Sequence, residues 1–212
     1  MCGCYRCLSI YPPTKILSWT DGVLGTKRTA RVKELSGGQR QRLAVACGLA
    51  GAPDVLFLDE PTTGLDPQSR RSLWDVIERF LAGGGTVLLT THYMEEAAQL
   101  SDRIAIMDHG QVIALGTPAE LVASLGAEHV VEFSLHPGDV LAPGLLEALP
   151  GVTAVHARDD GMALSVREVH GTIPALLAEL ERRGVALAGL STRHATLEDV
   201  FLELTGRRLR DE

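Results

Sequence analysis

The feature that most limits the fold of this chain is an apolar run, Val55 to Leu58, that ends directly in Asp59 and Glu60. A continuous run of this length predicts a strand buried on both faces, as in a parallel sheet. A second run of the same kind spans residues 86–91, after a segment (67–82) whose apolar residues recur with helical spacing. Strand, helix and strand joined by short links predict an α/β fold with helices packed on a parallel sheet.

Polar side chains follow both predicted strands. Ligands of open α/β folds bind at the carboxyl ends of the strands, where Asp59, Glu60 and His92 would lie. Asp59 could hold Mg²⁺ through water, and Glu60 could accept a proton from an attacking water. If the two strands are neighbours, His92 would lie near Glu60 and could hydrogen-bond a phosphate group or that water. The alternative is an ordinary solvated strand end with a surface histidine.

A serine and two glycines open a predicted helix in the segment LSGGQRQRL, residues 35–43. Backbone N–H groups at a helix N-terminus, next to glycines that permit close approach, are suited to bind an anion. The candidate binding residues are Ser36, Gly37, Gly38 and Gln39. The spacing predicts that the helix buries the face that carries Leu43, Ala46, Cys47 and Ala50.

Asp66 followed by Pro67 predicts the start of the helix between the two strands. Asp is a favoured N-cap residue, and Pro is favoured at the first helical position. The N-cap role alone would account for an aspartate at this position, with no bound ligand. A role at a binding site is compatible with capping, so both interpretations stay open at this point.

In their order and context, these segments resemble the second half of an ABC transporter ATP-binding subunit over residues 35–125. The motifs are LSGGQ, VLFLDE, GLD and a strand that ends in histidine. The resemblance implies ATP and Mg²⁺ as cofactors. It places Ser36, Gly37, Gly38 and Gln39 in the signature motif, which faces the γ-phosphate of an ATP held by a partner subunit. It further implies Asp59 as the Walker B magnesium residue, Glu60 as the general base, Asp66 as the D-loop aspartate and His92 as the switch histidine.

Two later segments are similar to the exporter branch of that family, the drug-efflux and ABC-2 group. They are HYMEEAAQLSDRIAIMDHGQVIALGTP (residues 92–118) and TLEDVFLELTGR (residues 196–207). The resemblance implies a separate transmembrane permease subunit, a second ATP-binding subunit in a homo- or heterodimer, and a cytoplasmic position on the inner face of the cell membrane. The alternative for the second segment is a generic α+β appendage.

The pattern divides the chain into three parts. Residues 1–30 are poorly patterned, residues 31–126 form the predicted second half of an ABC ATPase domain, and residues 127–212 form an exporter-type C-terminal domain. The predicted order in the last part is β-α-β-β-α-β followed by a helix, which is typical of a ferredoxin-like α+β domain. The predicted fold class is therefore α/β: a partial P-loop NTPase (ABC ATPase) parallel sheet with helices, followed by this small domain.

Composition limits the possible partners. The formal net charge is −7, so the chain gives no electrostatic case for nucleic acid binding. No apolar run approaches the ~18–20 residues that a membrane-spanning helix needs. Cys2, Cys4 and Cys7 could ligate zinc. A tetrahedral site needs a fourth ligand, which is not close in sequence, so a disordered or non-native tail is the stronger hypothesis.

The P-loop string, G-x-x-x-x-G-K followed by Ser or Thr, does not occur in the sequence. Its amides and lysine cradle phosphates, so the chain alone is expected to bind Mg-ATP weakly. A truncated or frame-shifted gene product is the simplest explanation, and it would leave a partial sheet with exposed apolar faces and edges. Two functions remain as hypotheses. One is the ATP-hydrolysing subunit of an ABC exporter; the other is a non-catalytic, degenerate or truncated module that needs an intact ABC subunit to complete a site.

Overall fold

The computed structural model describes residues 30–136, 139, 141–158 and 161–206. By their contacts, these residues form two compact units that divide between Leu100 and Ser101. The N-terminal cysteine cluster and the rest of residues 1–29 lie outside the described residues. The domain boundaries predicted near residues 30 and 126 stay predictions. Among the described residues, no helix combines the length and the hydropathy of a transmembrane span.

The N-terminal unit alternates helices and strands. A short 3₁₀ turn, Val32–Glu34, precedes helix α1, Gly37–Leu49. The next elements are β1 (Val55–Asp59), α2 (Pro67–Ala82), β2 (Thr86–Thr90) and α3 (Met94–Leu100). Strands β1 and β2 pair in parallel, with Asp59 opposite Thr90. The predicted strand–helix–strand order and its parallel pairing are confirmed.

Local side chains start both long helices of this unit. At α1, the Ser36 hydroxyl accepts a hydrogen bond from the Gln39 amide, and the Gln39 side chain accepts one from the Ser36 amide. At α2, the Asp66 carboxylate accepts a hydrogen bond from the Ser69 amide, and Pro67 is the first helical residue. These contacts satisfy amide groups that the first turn of a helix otherwise leaves without partners.

The core of the N-terminal unit lies on one face of the two strands. Leu56 and Leu58 of β1 belong to the same cluster as residues of α1 and α2. The buried helical members of this cluster are Val45, Ala46, Leu73, Val76 and Ile77. Helix burial against this strand face therefore holds the carboxyl end of β1, which carries Asp59, in place.

The prediction that β1 is buried on both faces is wrong for the described residues. Leu56 is 7% exposed, but Phe57 is 72% exposed, and Leu88 of β2 is 58% exposed. Successive side chains point to opposite faces of a strand, and α1 and α2 pack on the Leu56 face. The expectation of an exposed apolar strand face is confirmed for the described residues.

Helix α1 is rotated relative to its predicted apolar face. Val45 and Ala46 are buried, whereas Cys47 is exposed. Gly48 lies against the sheet, because a Cβ at its position would be 3.1 Å from Leu56 Cδ1. Spacing identifies a helix, but the partner strand decides which of its sides is buried.

The C-terminal unit begins with a hairpin and continues into an α+β arrangement. The hairpin strands are β3 (Ile104–Asp108) and β4 (Gln111–Gly116), and α4 (Pro118–Ala123) follows. The predicted hairpin is confirmed, with positive φ angles at the turn residues His109 and Gly110. The remaining elements are β5 (His129–Leu135), α5 (Pro143–Glu147), β6 (Val152–Arg158), β7 (Gly161–Val166), α6 (Val169–Arg183), β8 (Leu187–His194) and α7 (Leu197–Thr205).

Four of these strands form one antiparallel sheet in the order β6-β7-β5-β8. The two strands that come first and last in this part of the chain are therefore neighbours, as in a ferredoxin-like sheet. The core contains residues of β5, β7 and α6 that are almost completely buried. They include Val131, Leu164, Val166 and Leu176. The predicted β-α-β-β-α-β order and the α/β fold class are confirmed.

Candidate functional site

The carboxyl ends of β1 and β2 form one polar cluster. Asp59 and Thr90 are opposite each other in the parallel register. The Thr90 hydroxyl donates a hydrogen bond to Asp59 Oδ1. The Glu60 amide donates to the Thr90 carbonyl at 3.0 Å and approaches the Thr90 hydroxyl at 3.2 Å. The two strand ends are thus joined through Thr90, a residue that the sequence analysis did not single out.

Glu60 lies just past the end of β1 with a left-handed backbone, φ 46°. Few residues other than glycine adopt this conformation, and it is found more often at functional sites. Here the turn sends the chain away from the strand direction directly after Asp59. The carboxylates of Asp59 and Glu60 therefore lie side by side at the end of β1, and the strand does not continue beyond Asp59.

His92 contacts Glu60 directly. His92 Nδ1 and Glu60 Oε2 lie 2.7 Å apart, and the Thr63 hydroxyl donates to the same carboxylate oxygen at 2.9 Å. Both side chains of the pair are partly exposed, at 45% for His92 and 39% for Glu60. A carboxylate that is held by neighbours and open to solvent can reach a water molecule. The expectation that His92 lies beside Glu60 is confirmed.

Asp59 fits a magnesium ion that keeps most of its water. Mg²⁺ is commonly held by one or two carboxylates together with waters and substrate phosphates. The Thr90 hydrogen bond fixes one Asp59 oxygen, which orients the carboxylate. Within the described ranges, no three His, Cys, Asp or Glu side chains gather into a metal cage.

The signature segment, residues 35–39, forms the start of α1. Capping uses the Ser36 hydroxyl and the Gln39 amide group, while the helix itself provides no partner for the amides of Gly37 and Gly38. An added Cβ at Gly37 would meet no atom within 4 Å. This end of the helix can accept an anion at the glycine amides.

The signature segment packs against the start of α2. A Cβ at Gly38 would lie 3.1 Å from Leu65 Cδ2 and 3.7 Å from Ser69 Oγ. Leu65 precedes Asp66, whose carboxyl has its pKa lowered by the Ser69 hydrogen bonds. The structure therefore brings the signature segment close to the start of α2 and confirms Asp66 as the N-cap of that helix. It gathers Asp59, Glu60 and His92 at the strand ends.

Two family models match separate parts of the chain. The first is described as an AAA domain, putative AbiEii toxin, type IV toxin–antitoxin system, and matches residues 22–96. The second is described as the C-terminal domain of DrrA1-3-like ATP-binding proteins, and matches residues 116–205. The second match includes all of the four-stranded sheet.

Curated relatives match across both parts. The daunorubicin/doxorubicin resistance ATP-binding protein DrrA of Streptomyces peucetius is 47% identical over 187 residues, 86% of this chain and 56% of that protein. The Nod factor export ATP-binding protein I of Ralstonia nicotianae is 44% identical over 191 residues, 89% of this chain and 58% of that protein. This chain belongs to the ABC transporter ATP-binding family.

A solved structure supports the same assignment. The ATP-binding subunit of an ABC transporter aligns with a TM-score of 0.50 and 26% identity, covering 57% of this chain and 51% of that one. The chain spans little more than half the length of the two curated relatives named above, 56% and 58%. The relatives named above are ATP-binding proteins of drug-resistance and export systems.

Proposed function

We propose that this ABC family member works in ATP-driven export, in which it couples ATP hydrolysis to transport through a separate transmembrane permease of ABC-2 type. The names of its relatives, which refer to drug resistance and Nod factor export, favour export over import. In this proposal the chain pairs with a second ATP-binding subunit and lies in the cytoplasm, peripheral to the inner face of the cell membrane. Its cofactors are ATP and Mg²⁺.

The contact between Glu60 and His92 carries the proposal. Glu60 accepts a proton from the water that attacks the γ-phosphate, and His92, held 2.7 Å away, steadies charge on that phosphate. Thr63 and Thr90 hold the Glu60 carboxylate and amide in position. Asp59 orients the magnesium ion, which neutralises phosphate charge when bound.

The signature segment has a second role in this proposal. The amides of Gly37 and Gly38, next to the N-cap residue Ser36, face the γ-phosphate of a nucleotide held by the second ATP-binding subunit. Asp66 lies close to the start of α1, because its neighbours Leu65 and Ser69 pack near Gly38. One chain thus contributes its strand ends to one nucleotide and its signature segment to another.

The sequence contains no P-loop string, so in this proposal a second polypeptide supplies the phosphate cradle. A helix N-terminus stabilises a nearby anion by only ~0.3–1 kcal/mol, and by up to ~2 kcal/mol when partly buried. A micromolar site needs about 8 kcal/mol. We therefore expect no micromolar Mg-ATP binding to this chain alone.

Turnover in an assembly that supplies a P-loop tests the proposed base. With the P-loop half of an ABC subunit added as a second polypeptide, Glu60→Gln should lower ATP turnover by about 10²–10⁴-fold, because the base is lost. Glu95→Gln is the matched control, since it makes the same chemical change at an exposed glutamate outside the strand-end cluster. Unchanged turnover in Glu60→Gln would remove Glu60 from this role.

The competing hypothesis is a non-catalytic module that only completes a site on an intact ABC subunit. The intact signature segment motivates it, since that segment could complete a site on another subunit. It predicts that this chain restores turnover to a partner whose own signature serine is substituted, and that Glu60→Gln has no effect in that assembly. Calorimetry with Mg-ATP separates both hypotheses from an unrecognised cradle within this chain, for which micromolar binding would be found.

A further inference from the structure

The N-terminal unit contains a buried carboxylate that has no part in the proposed chemistry. Glu96, in α3, is 0% exposed. Its Oε1 accepts a hydrogen bond from Trp74 Nε1 at 2.8 Å, and its Oε2 accepts one from the Thr62 hydroxyl at 3.2 Å. Burial of a carboxylate among uncharged donors is costly unless its oxygens are well satisfied. The burial of Glu96 is therefore best explained by the segments of the chain that its carboxylate holds together.

The two donors come from different segments around the proposed site. Thr62, itself 1% exposed, lies in the loop that follows Glu60 and leads to Asp66. Trp74 lies on α2, the helix that Asp66 caps. Glu96 lies four residues after His92. The Glu96 carboxylate therefore joins three elements: the loop between β1 and α2, helix α2, and helix α3.

Glu96 is the centre of a row of contacts between α2 and the segment that starts at His92. Before it, Arg70 Cζ lies 4.0 Å from the Tyr93 ring centroid, and the Tyr93 ring lies 4.1 Å from that of His92. After it, Gln99 Nε2 donates to Glu78 Oε1 at 3.2 Å. The α2 members, Arg70, Trp74 and Glu78, are four residues apart, so they share one helix face.

We infer that Glu96 is a positioning residue that fixes His92 relative to Glu60 and Asp66. The inference rests on the proposed function of Glu60 and His92. Glu96 acts only through Thr62, Trp74 and the start of α3, and it touches no reacting atom. Loss of its contacts should therefore slow the chemical step and leave nucleotide affinity nearly unchanged.

Two substitutions test this without creating a large cavity. Glu96→Gln keeps the size of the side chain and removes one acceptor, and Thr62→Val removes only the hydroxyl that Glu96 Oε2 accepts from. Glu95→Gln is the matched control, because Glu95 is the exposed neighbour on the same helix. Thr62→Ser restores the hydroxyl and should rescue the effect of Thr62→Val.

The first readout is ATP turnover in the assembly that contains a P-loop. Misplaced catalytic groups can lower rates by up to about 10²-fold, so we expect kcat to fall about 10- to 100-fold in Glu96→Gln and Thr62→Val. KM for Mg-ATP should change by less than about twofold. Wild-type kcat in both variants, or a raised KM with unchanged kcat, would overturn the inference.

The second readout needs no turnover, so it separates failure of this inference from failure of the proposed function. Hydrogen–deuterium exchange of the full chain should rise selectively in residues 60–66 and 90–96 in both variants. The Glu60 amide, which donates to Thr90, is the most informative position. Exchange that is unchanged there, or raised equally throughout the N-terminal unit, would contradict a positioning role.

Discussion

Ser36 illustrates how one side chain can support two roles. Its hydroxyl caps α1 by accepting from the Gln39 amide, and in the proposed function the same end of the helix faces a γ-phosphate. Capping is a structural role that Asn, Asp and Ser fill about equally well. The phosphate role depends on charge, because an anion at this position would repel another anion. The two roles can therefore be separated by substitution.

Ser36→Asp and Ser36→Asn form a matched pair for this purpose. We expect both variants to keep the free energy of unfolding within about 0.5 kcal/mol of the wild type, since both cap helices well. In complementation of a partner subunit with a substituted signature serine, Ser36→Asp should lose at least ~10-fold in turnover, because like charges would face each other. Equal turnover in the two variants would contradict the phosphate role.

Asp199 is the corresponding case of charge within the C-terminal unit. Its carboxylate accepts hydrogen bonds from Arg193 at 2.7 Å and from the Thr196 amide at 2.8 Å. Burial alone would raise the pKa of Asp199, but the hydrogen bonds from Arg193 and Thr196 outweigh it and lower the pKa below its usual value. A carboxyl with a lowered pKa in the folded state stabilises the fold above its unfolded pKa, and this contribution is lost as the pH falls through the folded value.

Asp199→Asn should therefore be costly near neutral pH and less so in acid. We expect a loss of about 2 kcal/mol in the free energy of unfolding near pH 7, allowing for the partly exposed Arg193. The difference from wild type should shrink as the pH falls below about 4. Urea unfolding at a series of pH values measures it.

Glu179→Gln serves as the control for this pH series. Hydrogen bonds from Arg182 and Arg183 lower the pKa of Glu179 to about 2, but this ion pair lies on the helix surface and is screened by water. Glu179→Gln should therefore lower the free energy of unfolding by less than Asp199→Asn does. A difference for Asp199→Asn that does not vary with pH would contradict the assignment.

At the scale of elements, β1 has two unlike faces. Leu56 and Leu58 face the helices, whereas Phe57 and Val55 face away from them and are exposed. An exposed apolar strand face with open edges favours association with other chains. Residues 1–125 expressed alone are thus expected to be only marginally soluble. A monodisperse sample with a sharp, two-state thermal transition would contradict this expectation.

Substitutions on the two faces of β1 should have different effects on stability and on self-association. Leu56→Ala should lower the free energy of unfolding by about 2–5 kcal/mol, because it opens a cavity between the strand and the helices. Phe57→Thr should change it by no more than about 0.5 kcal/mol, since little packing is lost. Phe57→Thr should also reduce self-association in sedimentation experiments. Comparable destabilisation by both variants would show that the Phe57 face is covered in solution.

At the scale of the whole molecule, the described residues form two hydrophobic cores, one in each compact unit. Ile77 is 1% exposed in the first core, and Leu164 is 0% exposed in the second. A cavity is expected to loosen the unit that contains it, because stability is distributed in cooperative units around each core.

Cavity variants in the two cores test this separation. Ile77→Ala and Leu164→Ala should each cost about 2–5 kcal/mol in the unit that carries them. Hydrogen–deuterium exchange should rise in α1, α2 and β1 for Ile77→Ala, and in β5, β6 and β7 for Leu164→Ala. Exchange that rises throughout the chain in both variants would mean that the chain unfolds as one cooperative unit.

Much of the fold could be predicted because its signals are local. Asp66 and Pro67 start α2, Ser36 and Gln39 cap α1, and the residues before Gly110 turn the β3–β4 hairpin through contacts within a few positions of one another. Apolar runs that end in polar residues also determined that Glu60 and His92 would meet if the strands were neighbours. The structure supplied that condition through the parallel pairing of β1 and β2.

Only the tertiary structure decided which surfaces are buried. It exposed Phe57 and Cys47, and it buried Glu96 beneath Thr62 and Trp74. An apolar run or a helical spacing states that a side chain can be buried, but burial depends on which elements arrive from distant parts of the chain. The sequence by itself therefore determined the elements, their caps and the residues at the strand ends. The packing of α1, α2 and α3 around those strand ends determined the covered face and the buried contacts of Glu96, because such contacts join residues that are far apart in sequence.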